Sequence, residues 1–155
     1  MHFTPLNPHY AERVRHSFAR QAAMRLVGAT LTEVGPGTVS IELPVREDLT
    51  QQHKYVHGGI VGMIADSAGG YAAFTLMPAD ASVLTVEYKI NMLAPATGER
   101  LVAVGTVLKP GRTLSIVRAD VFGESRGQGP DGRRLVATMQ QTLMVMHGMQ
   151  DEARV

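Results

Sequence analysis

Residues 58–77 read GGIVGMIADSAGGYAAFTLM, and what this stretch becomes decides the fold. It is apolar almost throughout and long enough for a buried helix, and Pro78 closes it. Beyond it the period of the apolar residues changes to two. In TVEYKINML (85–93), Val86, Tyr88, Ile90 and Met92 fall on one face, and Thr85, Glu87, Lys89 and Asn91 on the other. RLVAVGTVLK (100–109), TLSIVRADVF (113–122) and RLVATMQQTLMVM (134–146) read as three further strands, with breaks at 110–112 and 123–132. One long central helix with a run of antiparallel strands is an α+β domain.

Upstream of the helix the signals are local. Asn7-Pro8 suits a helix start, Tyr10, Val14 and Phe18 recur at helical spacing, and Gly28 is a stop. The expectation is an N-terminal helix within residues 1–28. Leu31–Val34 and Thr38–Leu43 read as strands around the turn Gly35-Pro36-Gly37, and residues 44–56 as a loop. The 155 residues carry no linker, repeat or low-complexity tract, so 1–155 reads as a single domain.

Composition removes several classes of function. There is no cysteine, hence no thiol nucleophile, thiolate metal site or disulfide. Net charge is +1 with no basic stripe, and aromatic residues make up 5%, which argues against nucleic acid as a partner. The apolar run 56–77 contains Asp66, whose insertion into a bilayer centre costs about 3 kcal/mol, so no membrane span is expected. The N-terminus has no apolar signal core, and a cytoplasmic enzyme fits. The histidines lack a ligand spacing such as HExxH, so neither a metal nor another cofactor is implied. ADSAG is not a GxSxG elbow, which sets serine-hydrolase chemistry aside.

Asp66 is the one formally charged side chain between Lys54 and Asp80. Burying a lone carboxylate costs several kcal/mol unless it is paired or protonated. On a helical projection Gly59, Gly62, Gly69 and Gly70 fall on the side of Asp66, while Ile60, Val61, Ile64, Tyr71 and Phe74 fall largely on the other and can pack on a sheet. Each interior glycine costs about 1 kcal/mol relative to alanine, so a face stripped of side chains implies a close approach, by a substrate or by another backbone. Asp66 is then either a reactive carboxylate or a structural one bonded to a neighbouring strand. His57-Gly58-Gly59 precedes the helix, where N–H groups lack intrahelical partners and carry the positive end of the dipole. Such donors suit an oxyanion hole. A capping or positioning role for His57 is favoured over general-base work.

YVHGGIVGMIADSAGGYAAFTLMP, followed by LTVEYKINMLAPATGERLVAVGTVLKPGRTLSIVRADVF, resembles the PaaI-like hotdog thioesterases, from about Gln51 to Met146. The ordered parts are HGG, an acid nine residues after that histidine, a strand ending in a proline-containing turn, and Gly-Arg before a strand. The resemblance implies a hotdog fold, in which an antiparallel sheet wraps a long central helix. It implies Asp66 as catalytic acid, acting as general base or nucleophile, and Gly58 as the glycine whose N–H polarises the thioester carbonyl. Gln51, fifteen residues before Asp66, matches an Asn or Gln that places the thioester or the water; many relatives have Asn there. Thr85 matches a Ser or Thr that orients water. His57, Gly59 and Arg112 are the expected substrate contacts, Arg112 at the position where relatives meet coenzyme A. The site is expected between two subunits of a homo-oligomer, a dimer at least and more often a tetramer, with the acid from one chain and the oxyanion glycine from the other.

The chemistry implied is acyl-CoA and water to free acid and CoA. Two rivals remain open at this stage. A hotdog hydratase or dehydratase would need a catalytic histidine motif that the resemblance does not reach. A hotdog protein that binds acyl-CoA without turnover would not need both Asp66 and Gly58. Met63, Met77 and Met92 are candidate lining for an adaptable acyl pocket, or plain core.

Overall fold

The computed structural model describes residues 2–125 and 132–149. Two short helices open the chain, α1 (Tyr10–Arg20) and α2 (Ala22–Val27). A hairpin follows, β1 (Thr30–Gly35) and β2 (Thr38–Pro44), then a single 3-10 turn over Glu47–Leu49 and the long helix α3 (Gly58–Phe74). Four strands complete the order: β3 (Ala81–Met92), β4 (Arg100–Lys109), β5 (Leu114–Glu124) and β6 (Arg134–His147). They form one sheet in the spatial order β1-β2-β4-β5-β6-β3, every neighbouring pair antiparallel. The helix α3 lies across the concave side and touches β2, β4, β5, β6 and β3. This is the hotdog arrangement.

Burial explains why α3 needs no strong amphipathic stripe. Val61, Ile64, Ala65, Ala68, Ala72 and Phe74 are all essentially inaccessible, against Val39, Ile41, Leu101, Ala103, Val117 and Leu143 of the sheet. Small residues let the helix sink close to the strands. At the closest point, a Cβ placed on Gly105 of β4 would lie 2.2 Å from the Ala68 carbonyl oxygen and 2.7 Å from Gly69 N. Both contacts are with helix backbone, which cannot step aside.

The C-terminal end of α3 is held from α1. Arg13 donates to the carbonyls of Phe74 (3.0 Å), Met77 (3.1 Å) and Pro78 (2.7 Å), with its guanidinium 4.0 Å from the centre of the Phe74 ring. A cation beside the last helical carbonyl and the turn that follows it suits the negative end of the helix dipole. Thr75 adds a hydroxyl bond to Ala72 O (2.6 Å) and accepts from Gly37 N (2.8 Å), tying the helix end to the β1–β2 turn.

Several boundaries differ from the sequence expectation. The expected N-terminal helix is two helices, parted at Gln21, whose ψ of 102° is extended. Its start is Tyr10 rather than Asn7-Pro8, because the Asn7 side chain accepts from His9 N (3.0 Å) in a turn before the helix. Gly28 is the stop, with φ +76°. The central helix ends at Phe74, not Met77: Leu76 N and Met77 N reach back three residues, to Ala73 O and Phe74 O, in tighter turns. The strand expected from Thr85 begins at Ala81. Gly123 and Glu124, expected in a break, extend β5, and residues 126–131 of that break lie outside the described residues.

Gly105 and Gly70 are both buried but differ in what a side chain would meet. Gly105→Ala should destabilise the protein by about 1–3 kcal/mol through backbone overpacking. Gly70→Ala, whose new Cβ would meet nothing within 4 Å, should stabilise by about 0.5–1 kcal/mol through helix propensity. Denaturant unfolding of both variants measures the difference, and shifts of the same sign would contradict this packing.

Candidate active site

A β-bulge decides what faces Asp66. In β3, Thr85 pairs with Leu143 and Glu87 with Thr142, so Val86 is the extra residue. The alternation expected over 85–93 therefore breaks. Before the bulge Thr85 points towards α3; after it Tyr88, Ile90 and Met92 do, with the Tyr88 hydroxyl 4.0 Å from where a Gly62 Cβ would stand. Bulges beside functional sites commonly re-aim a side chain in this way. Here Thr85, expected opposite Tyr88, Ile90 and Met92, joins their face.

The Thr85 hydroxyl donates to Asp66 Oδ1 at 2.8 Å. A second donor comes from β6: Gln141 Nε2 lies 2.7 Å from the same Oδ1 and 3.1 Å from the Asp66 carbonyl oxygen. Among the described residues Asp66 Oδ2 makes no hydrogen bond. Asp66 is half-buried, at the wall of a cavity of about 880 Å³. Ser67 and Gly70 of α3, Leu84 and Thr85 of β3 and His16 and Arg20 of α1 also line it. That volume is in the range of small-molecule sites, about 300–1,000 Å³.

Gln141 escapes a reading by sequence, although a signal for it exists. Ala137, Met139, Leu143 and Val145 occupy alternate positions of β6 and are buried, and Gln141 stands in the same row with 1% of its surface exposed. A lone amide in an apolar alternating row marks a buried polar group with a partner. Its neighbour Gln140 masks the signal by making the pair look like a solvated patch.

The glycines expected on one open face meet four different surroundings. Gly59 lies beside the ring of its own neighbour His57, Gly62 near Tyr88, and Gly69 against the Gln141 amide. Only Gly70 opens into the cavity. The bulky face is also shared. Tyr71 sets its ring edge-on to Phe18 of α1, centres 5.8 Å apart, and its hydroxyl 3.1 Å from Ser17 Oγ, so α1 covers part of what was expected against the sheet.

At the helix start, His57 Nδ1 accepts from Gly59 N at 2.9 Å, so His57 is the cap. A nitrogen that accepts there carries no proton, and the Gly59 N–H is occupied by this bond. The Gly58 N–H donates to no group among the described residues and is exposed. Gly58 and Asp66 are eight residues apart, about 12 Å along the helix axis. Gln51 is not brought to Asp66 within the chain. Its Oε1 accepts from His53 N (2.6 Å) inside the loop that the bridge Thr50–Val56 closes. Arg112 stands elsewhere too. It lines a second cavity, of about 490 Å³, with Phe3, Leu76, Met77 and His147. Of the three methionines, Met77 lines that second cavity, Met63 packs on the core and Met92 lies by Gly58; none lines the Asp66 cavity.

Comparison with known proteins follows the same outline. The Thioesterase superfamily profile matches residues 53–129. Human acyl-coenzyme A thioesterase 13 is 30% identical over 100 residues, 64% of this chain and 71% of the human protein. The crystal structure of a thioesterase family protein from Silicibacter pomeroyi is 47% identical, with a TM-score of 0.85 over 90% of this chain and 99% of that one. The PaaI protein of Escherichia coli, from the phenylacetic acid degradation operon, shares the fold at 18% identity, with a TM-score of 0.78 over 91% of this chain and 96% of its own.

Hydrogen bonds to a charged acceptor contribute about 1.5–3 kcal/mol. Thr85→Val, which keeps the shape and removes the hydroxyl, should lower stability towards the small end of that range, because Asp66 is partly exposed, and Thr85→Ser should restore it. Chemical denaturation of the three proteins gives the answer; a valine variant as stable as the parent would mean that the bond contributes nothing.

Proposed function

Because this chain belongs to the thioesterase superfamily, as a PaaI-like hotdog protein, we propose that it hydrolyses acyl-CoA thioesters with Asp66 as the reacting carboxylate. The observation that carries this reading is the Asp66 side chain itself. It is the one formal charge on a buried helix, it is held through Oδ1, Oδ2 makes no hydrogen bond among the described residues, and the residue lines a cavity large enough for an acyl group.

The thioester carbonyl oxygen would sit at the Gly58 N–H, where the helix dipole favours developing negative charge. Asp66 Oδ2 then takes a proton from water as its oxygen attacks the carbonyl carbon; the C–S bond breaks, CoA leaves as thiolate and is protonated. In the alternative route Oδ2 attacks directly, gives a mixed anhydride and releases CoA, and water then hydrolyses the anhydride.

Distance supports a site shared between two copies. A carbonyl carbon within reach of Asp66 cannot place its oxygen at a Gly58 N–H about 12 Å away on the same helix. A second copy supplies the missing donor. The edge strand β3 offers the surface for it: Leu84, Val86 and Tyr88 are each at least half exposed, and among the described residues no further strand lies beside its twelve residues on the outer edge. Long apolar edges of this kind are normally covered. Gln51 and His57 are then placed by assembly rather than by the single chain.

Asp66→Ala should abolish most CoA release while the protein stays folded. Gly58→Val, which fills the space that the carbonyl must enter, should do the same. Mixed at equal amounts, the two inactive proteins should recover about a quarter of parental activity, because about half of the dimers are mixed and each mixed dimer has one intact site. Mixed dimers as inactive as their parents would refute the shared site. A parent with no CoA release on short, medium, long and aromatic acyl-CoAs would refute hydrolysis and favour a binding protein.

A further inference from the structure

We infer that Gln141 is a positioning residue for Asp66, holding Oδ1 so that Oδ2 is the oxygen presented to the thioester. The inference rests on the proposed role of Asp66 in hydrolysis and adds a residue that the family resemblance did not bring.

Three features make Gln141 more than a buried amide. First, it occupies a row of β6 in which the other inward positions are apolar, and it is 1% exposed. An apolar residue there would avoid the cost of desolvating an amide. Second, the amide is satisfied on one end alone: Nε2 bonds to Oδ1 and to the carbonyl oxygen of Asp66, while Oε1 is buried without a partner among the described residues. A carboxylate oxygen and a carbonyl oxygen both accept, so Nε2 must face Asp66, and the orphaned Oε1 is the consequence. Third, a neighbouring position is given up to make room. A Cβ on Gly69 would fall 1.6 Å from Gln141 Oε1 and 2.7 Å from its Cδ. Two positions are thus committed to placing one N–H donor.

The geometry says what that donor does. By bonding to the carbonyl and to Oδ1 of the same residue, Gln141 pins the aspartate side chain against its own backbone. Thr85 approaches the same oxygen from β3. With Oδ1 taken twice, the rotation that would exchange the two oxygens breaks both bonds. A base or nucleophile fixed in this way spends less of its free energy on orientation when the substrate arrives. Across the sheet Gln141 pairs with Tyr88 of β3 and Val117 of β5, and α3 presents Asp66. Of these, Asp66 and Tyr88 are the groups that titrate.

Two variants and one melt test this. Gln141→Met keeps length and burial but has no donor. It should lower kcat about 10- to 100-fold with KM within about two-fold, since an orienting bond acts on the reacting step rather than on binding. Gln141→Glu places a second carboxyl beside Oδ1, and two carboxyls so close share one proton. While that proton is present the pair donates as the amide did, so the activity of Gln141→Glu relative to the parent should rise as pH falls. Gln141→Met should show the same relative loss at every pH. A methionine variant with parental kcat overturns the inference, and so does a glutamate variant that tracks the parental pH profile. If the methionine variant does not fold, the glutamate variant decides alone. Melting temperatures of Asp66→Ala, Gln141→Met and the double variant need no turnover: the combined loss should be less than the sum of the single losses, and additive losses would overturn the inference even if the protein proved not to hydrolyse acyl-CoA.

Discussion

The depth at which α3 sits against its sheet governs everything else in this molecule. That depth is set where Gly105 of β4 meets the backbone of Ala68 and Gly69. One side chain at that point would lift the helix away from the strands. Asp66 lies less than a turn from the contact, so its reach to Thr85 on β3 and Gln141 on β6 is fixed by the same spacing. Packing density and the aim of a carboxylate are here one constraint, since a close-packed interior transmits small displacements rather than absorbing them.

The sequence carries the central helix and most strands openly, because each is long and its apolar period is clear. Arg100–Lys109 is a strand with the bounds expected of it. Asp66 stands out because charge is otherwise missing from its helix. The parts that stay hidden depend on tertiary contact. The bulge at Val86 reverses the parity of β3, and no residue type announces it. The break at Gln21 involves neither glycine nor proline, the usual local marks of such a turn. Arg13 reads as an ordinary surface cation of α1, yet its partners are carbonyls some sixty residues on. Nor can spacing along the chain reveal that Gln51 and Arg112 stand away from Asp66 in a single copy.

The two ends of α3 are treated differently, which suits the chemistry proposed for one of them. At the C-terminal end Arg13 donates to the carbonyl of Phe74 and to those of Met77 and Pro78 just beyond it, and Thr75 donates to that of Ala72. At the N-terminal end His57 occupies the Gly59 N–H, and the Gly58 N–H is left exposed. A helix whose negative end is neutralised by protein and whose positive end is open has an unbalanced field that favours an incoming anion or a polarised carbonyl.

The strand order has a consequence for how the molecule is made. Chains are synthesised from the N-terminus, and β3 leaves the ribosome before β4 and β5, yet its neighbour in the sheet is β6. Until residues 134–147 exist, β3 has no strand to pair with. The hairpin β1–β2 and then β4 and β5 can zip together in sequence, while the segment carrying Thr85 waits in solution. Such long-range pairing is the slow part of folding. Gln141 arrives with the same late strand. A nascent chain therefore carries Asp66 through the synthesis of the next 75 residues before Gln141 exists, and the carboxylate is aimed only once β6 has joined the sheet.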